Sequence, residues 1–130
     1  MVPIATVPTT NIYQPPPESL TGQVHLITGA SSGLGLESSK RLAAAGATVV
    51  MTTRSNAKAE RAKNDVQQYL HDKSITNPGE IYPLTLDLND FASVKSFPNR
   101  YERLFDNRTA SRKMDELMNN AGAKYDDIVK

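Results

Sequence analysis

Eight residues near the front of the chain, Thr28-Gly29-Ala30-Ser31-Ser32-Gly33-Leu34-Gly35, carry the most specific chemical signal in the sequence. Before them runs Val24-His25-Leu26-Ile27-Thr28, a short apolar, β-favouring stretch that reads as a buried strand. After them, residues 34–45 are rich in Leu, Ala, Lys and Glu and close on Gly46, which reads as a helix with a glycine just past its end. A glycine at such a turn permits backbone angles that other residues resist. It also lets a phosphate approach the main chain closely, while the helix behind offers unpaired N–H groups and the positive end of its dipole. Gly35 falls where helix and strand must pack tightly. A dinucleotide should therefore lay its pyrophosphate over Gly29, Ser31, Ser32, Gly33, Leu34 and Gly35. The plainer reading is a glycine turn that merely joins a strand to a helix.

The elements that would hold this turn follow in alternation. Residues 47–53, centred on Val49-Val50-Met51, form a second strand candidate. Ser55 or Asn56 then caps a helix with Ala59, Ala62, Val66 and Tyr69 on one face. Asn77-Pro78-Gly79 is a turn signal, and residues 81–88 read as a third strand. Asn89 or Asp90 caps a third helix whose apolar face is Phe91, Val94 and Phe97. Pro98 interrupts it at a cost of ~3 kcal/mol in a helix interior. The outcome is either a kink or a fresh helix carrying Tyr101, Leu104 and Phe105. Residues 114–118 are the last strand candidate. Glu37 and Arg41, four apart, are placed to pair on the wet face of the first helix. Alternation of this kind, with right-handed crossovers, predicts an α/β fold: an incomplete Rossmann-type, doubly wound parallel sheet of strand order 3-2-1-4.

Composition narrows the function classes. At 130 residues, with 38% hydrophobic and 22% charged residues, the chain suits one small domain. A net charge of +1 gives no field for nucleic acid or a membrane surface. The absence of cysteine excludes a disulfide framework, thiolate ligation and cysteine catalysis, and fits a reducing compartment. No stretch approaches the ~20 apolar residues of a spanning helix, and no signal peptide is visible, so cytoplasmic is the default location. Residues 1–20, rich in Pro and Thr, read as a flexible extended tail, or as a Pro-rich ligand for a partner groove. Residues 21–130 are then a partial dinucleotide-binding domain. His25 inside a strand and His71 at a helix end have no companions that imply a base or a metal site. Oligomeric state is not legible.

Three residues, not one, separate the first two glycines of the turn. That spacing resembles the Thr-Gly-x-x-x-Gly-x-Gly motif of the short-chain dehydrogenase/reductase superfamily. Asn119-Asn120-Ala121-Gly122 is similar to the family's Asn-Asn-Ala-Gly segment after the fourth strand, and the likeness extends from residue 21 to about 123. Within it, the flavour is close to retinol-dehydrogenase-like and related NADP-dependent reductases. The resemblance implies a role for Arg54, which follows the second strand where the adenosine ribose should lie. An acid there would repel a 2′-phosphate, whereas a guanidinium pairs with it, so NADP(H) is implied over NAD(H). Lys58 either assists or is a solvated lysine. The resemblance gives Asp87 the adenine amino group and Leu88 the ring pocket; alternatively Asp87 only begins a turn and helps cap the next helix. It sets Ala121 and Gly122 against the cofactor's ribose side, and Asn120 there too while tying the central strands together.

The family's chemistry needs a serine on the next strand and a Tyr-x-x-x-Lys pair on the next helix, one turn apart on one face. The sequence reaches Lys130 just past the Asn-Asn-Ala-Gly segment. Tyr125 and Lys130 have four residues between them and fall in a loop, so no catalytic residue is assigned. Three readings follow: a fragment of a full NADP-dependent oxidoreductase, a short NADP(H)-binding module without chemistry, or a non-functional remnant. Glu116, in a strand expected to be buried on both faces, and an open fourth-strand edge stand as liabilities.

Overall fold

The computed structural model describes residues 13–105 and 113–120. Among them the chain forms β1 (Val24–Ile27), α1 (Gly33–Ala44), β2 (Thr48–Thr53), α2 (Asn56–Asp72), β3 (Ile81–Thr85), α3 (Phe91–Arg103) and β4 (Glu116–Met118). The strands pair in parallel in the order β3-β2-β1-β4, the order read from the sequence. β1 and β2 are buried at every position, as expected of central parallel strands covered on both faces.

Alternation along these strands divides the core. Ile27, Val49 and Met51 pack against Ala43, Ala44, Ala62, Val66 and Leu70 beneath α1 and α2. The small alanines let both helices lie close to the sheet. Val24, Leu26 and Val50 face the other way, toward Phe105, Phe97, Tyr101, Tyr82 and Leu84. Tyr101 and Phe105 meet edge to face at 5.6 Å between ring centroids.

Several expectations need correction. On α2 Leu70, not expected from the sequence, is buried with Ala59, Ala62 and Val66; Tyr69 packs half-buried against the same core, its ring flanked by the Lys40 and Lys73 ammonium groups at 5.8 and 5.9 Å. α3 stays continuous through Pro98, because Pro98 and Val94 both lie on the wet side, where water can take the place of the missing donor. Its packed face is Phe97 and Tyr101, continued past the helix end by Leu104 and Phe105, while Phe91 is 78% exposed and Val94 also faces solvent. Glu37 pairs with Lys40 at 3.2 Å, not with Arg41. β3 ends at Thr85, three residues short of the expected end. Glu116 is exposed: among the described residues β4 is bonded only to β1, and its charge is not desolvated. Two residues of the Pro-rich segment bond to the end of α1 and its cap. Leu20 N donates to Ala45 O (2.9 Å) and Gln14 Nε2 to Arg41 O (3.0 Å). No helix among the described residues is long and apolar enough to cross a membrane.

The Tyr101 hydroxyl is buried with no hydrogen-bond partner among the described residues. Burial, and then the Asp115 carboxylate, push its pKa above 10.0. Removing an unsatisfied buried hydroxyl relieves a desolvation cost, so Tyr101→Phe should leave the fold as stable or about 1 kcal/mol more stable. Urea unfolding of the two proteins checks this; a clear loss of stability in the variant would show that the hydroxyl has a partner.

Candidate functional site

In a parallel sheet all strands end on the same side, and here that side gathers the turn after β1, Arg54 after β2, Asp87 after β3 and Asn120 after β4. The turn is shaped by two residues in the left-handed region, Gly29 (φ 64°) and Gly33 (φ 58°). Gly35 is required for a different reason. A Cβ there would lie 2.5 Å from Gly29 O, 2.8 Å from Asn120 Nδ2 and 3.1 Å from Ala30 Cα. The first turn of α1 thus rests directly on the backbone leaving β1.

Asn120 locks this arrangement. Its Nδ2 donates to Gly29 O (3.2 Å) and its backbone N to Thr28 Oγ1 (2.9 Å). Thr28 N donates in turn to Met118 O (3.0 Å). The end of β4 is therefore tied across to the glycine turn. Thr28 was not singled out from the sequence, although its hydroxyl is the acceptor in this tie.

The N-terminus of α1 differs from the other two. Ser55 Oγ accepts from Lys58 N (3.3 Å) to cap α2, and Asp90 Oδ1 accepts from Ala92 N (3.0 Å) to cap α3. Ser32, at the same position on α1, is extended (φ −161°) and its side chain makes no cap bond; the first turn carries no acid. The first-turn amides of Gly33, Leu34 and Gly35 have no helical partners by geometry, so the positive end of this helix is left for an anion. Ser32, Gly33 and Leu34 are exposed around it and Ser31 is half-buried.

Arg54 is exposed and makes no hydrogen bond or ion pair among the described residues. Its position is set by Thr53, whose Oγ1 donates to Ser55 O (2.8 Å) and whose carbonyl accepts from Leu86 N (2.7 Å). Lys58 is exposed one turn away. Asp87 is half-buried and shapes its own loop: Oδ1 accepts from Asn89 N (3.0 Å), and its backbone N donates to Ser93 Oγ (3.0 Å). Asp90, not Asp87, caps α3. Leu88 is 59% exposed beside it. Ala121, Gly122, Tyr125 and Lys130 lie outside the described residues.

A Tyr-x-x-x-Lys spacing passed over in the sequence occurs at Tyr69 and Lys73. These residues end α2, on the side of the sheet where the strands begin, opposite the glycine turn. The pair cannot reach anything bound there. No group of three or more His, Asp or Glu is placed to hold a metal ion among the described residues.

A cavity of about 480 Å³ runs along α1 from Leu34, at the glycine turn, and is lined by His25, Glu37, Arg41, Glu116 and Leu117 among others. His25 is buried and its Nε2 meets Gln23 Oε1 at 2.9 Å. Burial holds its pKa below 6.5, against the opposing pull of Glu116 and then Asp115. Below pH 6.5 the unfolded chain takes up a proton that the fold resists. Stability should therefore fall as pH drops through that value and level off below the lowered folded pKa. His25→Gln should flatten that slope in urea titrations between about pH 7.5 and 5; an unchanged slope would assign the acid sensitivity elsewhere.

A parallel β3-β2-β1-β4 sheet with a glycine turn at the carboxyl end of β1 defines a Rossmann-type α/β protein. Residues 23–129 match the short chain dehydrogenase family, and the chain belongs to it. A short-chain dehydrogenase/reductase of Neocamarosporium betae is 36% identical over 105 residues, covering 81% of this chain and 28% of the relative. The solved structure of a metagenomic short-chain oxidoreductase in complex with NADP aligns with a TM-score of 0.62 and 28% identity, over 81% of this chain and 41% of that one. NAD+-bound xylitol dehydrogenase aligns with a TM-score of 0.62 and 26% identity, over 81% and 35%. The chain spans 28–31% of the length of three curated relatives it matches.

Proposed function

We propose that this chain is the NADP(H)-binding portion of a short-chain dehydrogenase/reductase-like oxidoreductase. The complete family enzyme would transfer a hydride between the cofactor and a carbonyl or alcohol. The observation that carries the reading is the uncapped start of α1, held against Gly29 by a residue that tolerates no Cβ. The dinucleotide's charge and shape fit these residues. The amides of Gly33, Leu34 and Gly35, with Ser31 and Ser32 beside them, take the pyrophosphate. Arg54 takes the 2′-phosphate of the adenosine ribose, its exposed guanidinium presenting two parallel donors. Asp87 accepts from the adenine amino group and Leu88 covers the ring. Asn120 lies against the ribose on the nicotinamide side, the role that the family motif also implies for Ala121 and Gly122. The bound cofactor supplies the hydride. Support comes from the relatives as well: one solved neighbour holds NADP and another NAD+.

The test is a titration of the purified chain with NADPH and with NADH, read by the cofactor's own fluorescence, since the chain has no Trp. NADPH should bind at least about tenfold more tightly, the equivalent of one charge-assisted contact. Equal affinities would remove the NADP assignment, and no binding of either would remove the cofactor site.

A further inference from the structure

Arg100 stands on the third turn of α3, well along the chain from the proposed site, yet its guanidinium reaches back to the loop that carries Asp87. Nη1 donates to Thr85 O (2.8 Å) and Thr85 Oγ1 (3.1 Å), at the last residue of β3. Nη2 donates to Ser93 O (3.1 Å), and Nε to Ser96 Oγ (3.1 Å). Its Cζ lies 5.7 Å from the Phe97 ring centroid. The Ser93 hydroxyl accepts from Asp87 N (3.0 Å). One planar group therefore clamps both stems of the 86–90 connection: the strand end before it and the helix turn after it. Asp87 hangs between them, one carboxylate oxygen bonded to Asn89 N within the loop.

We infer that Arg100 is a positioning residue for adenine recognition, holding Asp87 where its carboxylate meets the base's amino group; this rests on the cofactor reading above. A fork of donors fixes the two stems relative to each other in direction as well as distance, which a single ammonium cannot do. Loosening the clamp lets the carboxylate sample positions from which the amino hydrogen bond is lost. The pyrophosphate site on α1 is built from other elements and is untouched.

The test compares NADPH with its analogue in which hypoxanthine replaces adenine, so that a keto oxygen stands where the amino group was. The wild-type chain should prefer NADPH by about tenfold, the worth of one hydrogen bond to a charged acceptor. Arg100→Met and Arg100→Lys should each reduce that preference to about twofold, while affinity for the hypoxanthine analogue barely changes. Adding Asp87→Ala to either should reduce it no further. The analogue's affinity doubles as the check that a variant is folded. Should Arg100→Met not fold, Ser93→Ala cuts the clamp at Asp87 N alone and should show the same loss. Equal weakening of both ligands, or full preference retained in Arg100→Lys, would overturn the positioning role. A wild-type chain that binds neither dinucleotide would overturn the cofactor reading, and this inference with it.

Discussion

Gly35→Ala should abolish measurable NADPH binding and destabilise the fold by about 3 kcal/mol, the upper end of what one methyl group costs in a close-packed site. The added methyl would meet Gly29 O at 2.5 Å and Asn120 Nδ2 at 2.8 Å. Neither atom is free to retreat. Gly29 O belongs to a left-handed residue already accepting from Asn120, and Asn120 is held through its own N–H by Thr28 Oγ1. Relief must come from lifting the start of α1, and with it the amides that would hold the pyrophosphate. Gly33→Ala is the informative comparison. A Cβ at Gly33 has nothing within 4 Å, so only its φ of 58° is strained, at a cost of roughly 1–2 kcal/mol. Urea unfolding and NADPH titration of both variants should rank them in that order. A Gly35→Ala chain with wild-type affinity would show that the contact between α1 and the turn is not part of the binding site.

What could be read in advance was what repeats or what chemistry restricts to one residue type. The strand order followed from the alternation of elements, and the turn from glycines whose backbone angles other residues resist. Less legible was everything decided by which neighbour an element acquires. Glu116 looked like a buried charge because its strand was expected to be covered on both faces; among the described residues β4 is bonded only to β1, and the Glu116 carboxylate reaches solvent. Phe91 and Val94 looked like the core face of α3, but the helix contacts the sheet through its second half, and Phe97, Tyr101 and Phe105 carry the packing. Glu37 had Lys40 and Arg41 within one turn, and spacing alone could not choose between them. Arg100 shows the limit most clearly. Nothing in its position along the chain announces a guanidinium that closes a loop fifteen residues upstream at Thr85.

Arg54→Asp should reverse the cofactor preference of the chain. NADPH affinity should fall by about 100-fold, and NADH affinity should rise several-fold. The two halves of the effect have different origins. An acid placed at the end of β2 repels the 2′-phosphate, whereas the same acid accepts hydrogen bonds from the free ribose hydroxyls of NADH. The site lends itself to the exchange because Arg54 is exposed and bonded to no described residue, so its removal strands no partner and costs the fold little. Exposure also means screening. The wild-type preference for NADPH should shrink as salt is raised from about 0.05 to 0.5 M, because the contact is a charge pair near water. The NADH affinity of Arg54→Asp should be less sensitive, since its gain comes from hydrogen bonds to neutral hydroxyls. Fluorescence titrations of both proteins with both cofactors, at two salt concentrations, separate these effects. If Arg54→Asp keeps the wild-type ratio, the 2′-phosphate is held elsewhere. Lys58, exposed one helical turn away, is then the cation to replace next, and its own substitution would have to reproduce the reversal that Arg54 failed to give.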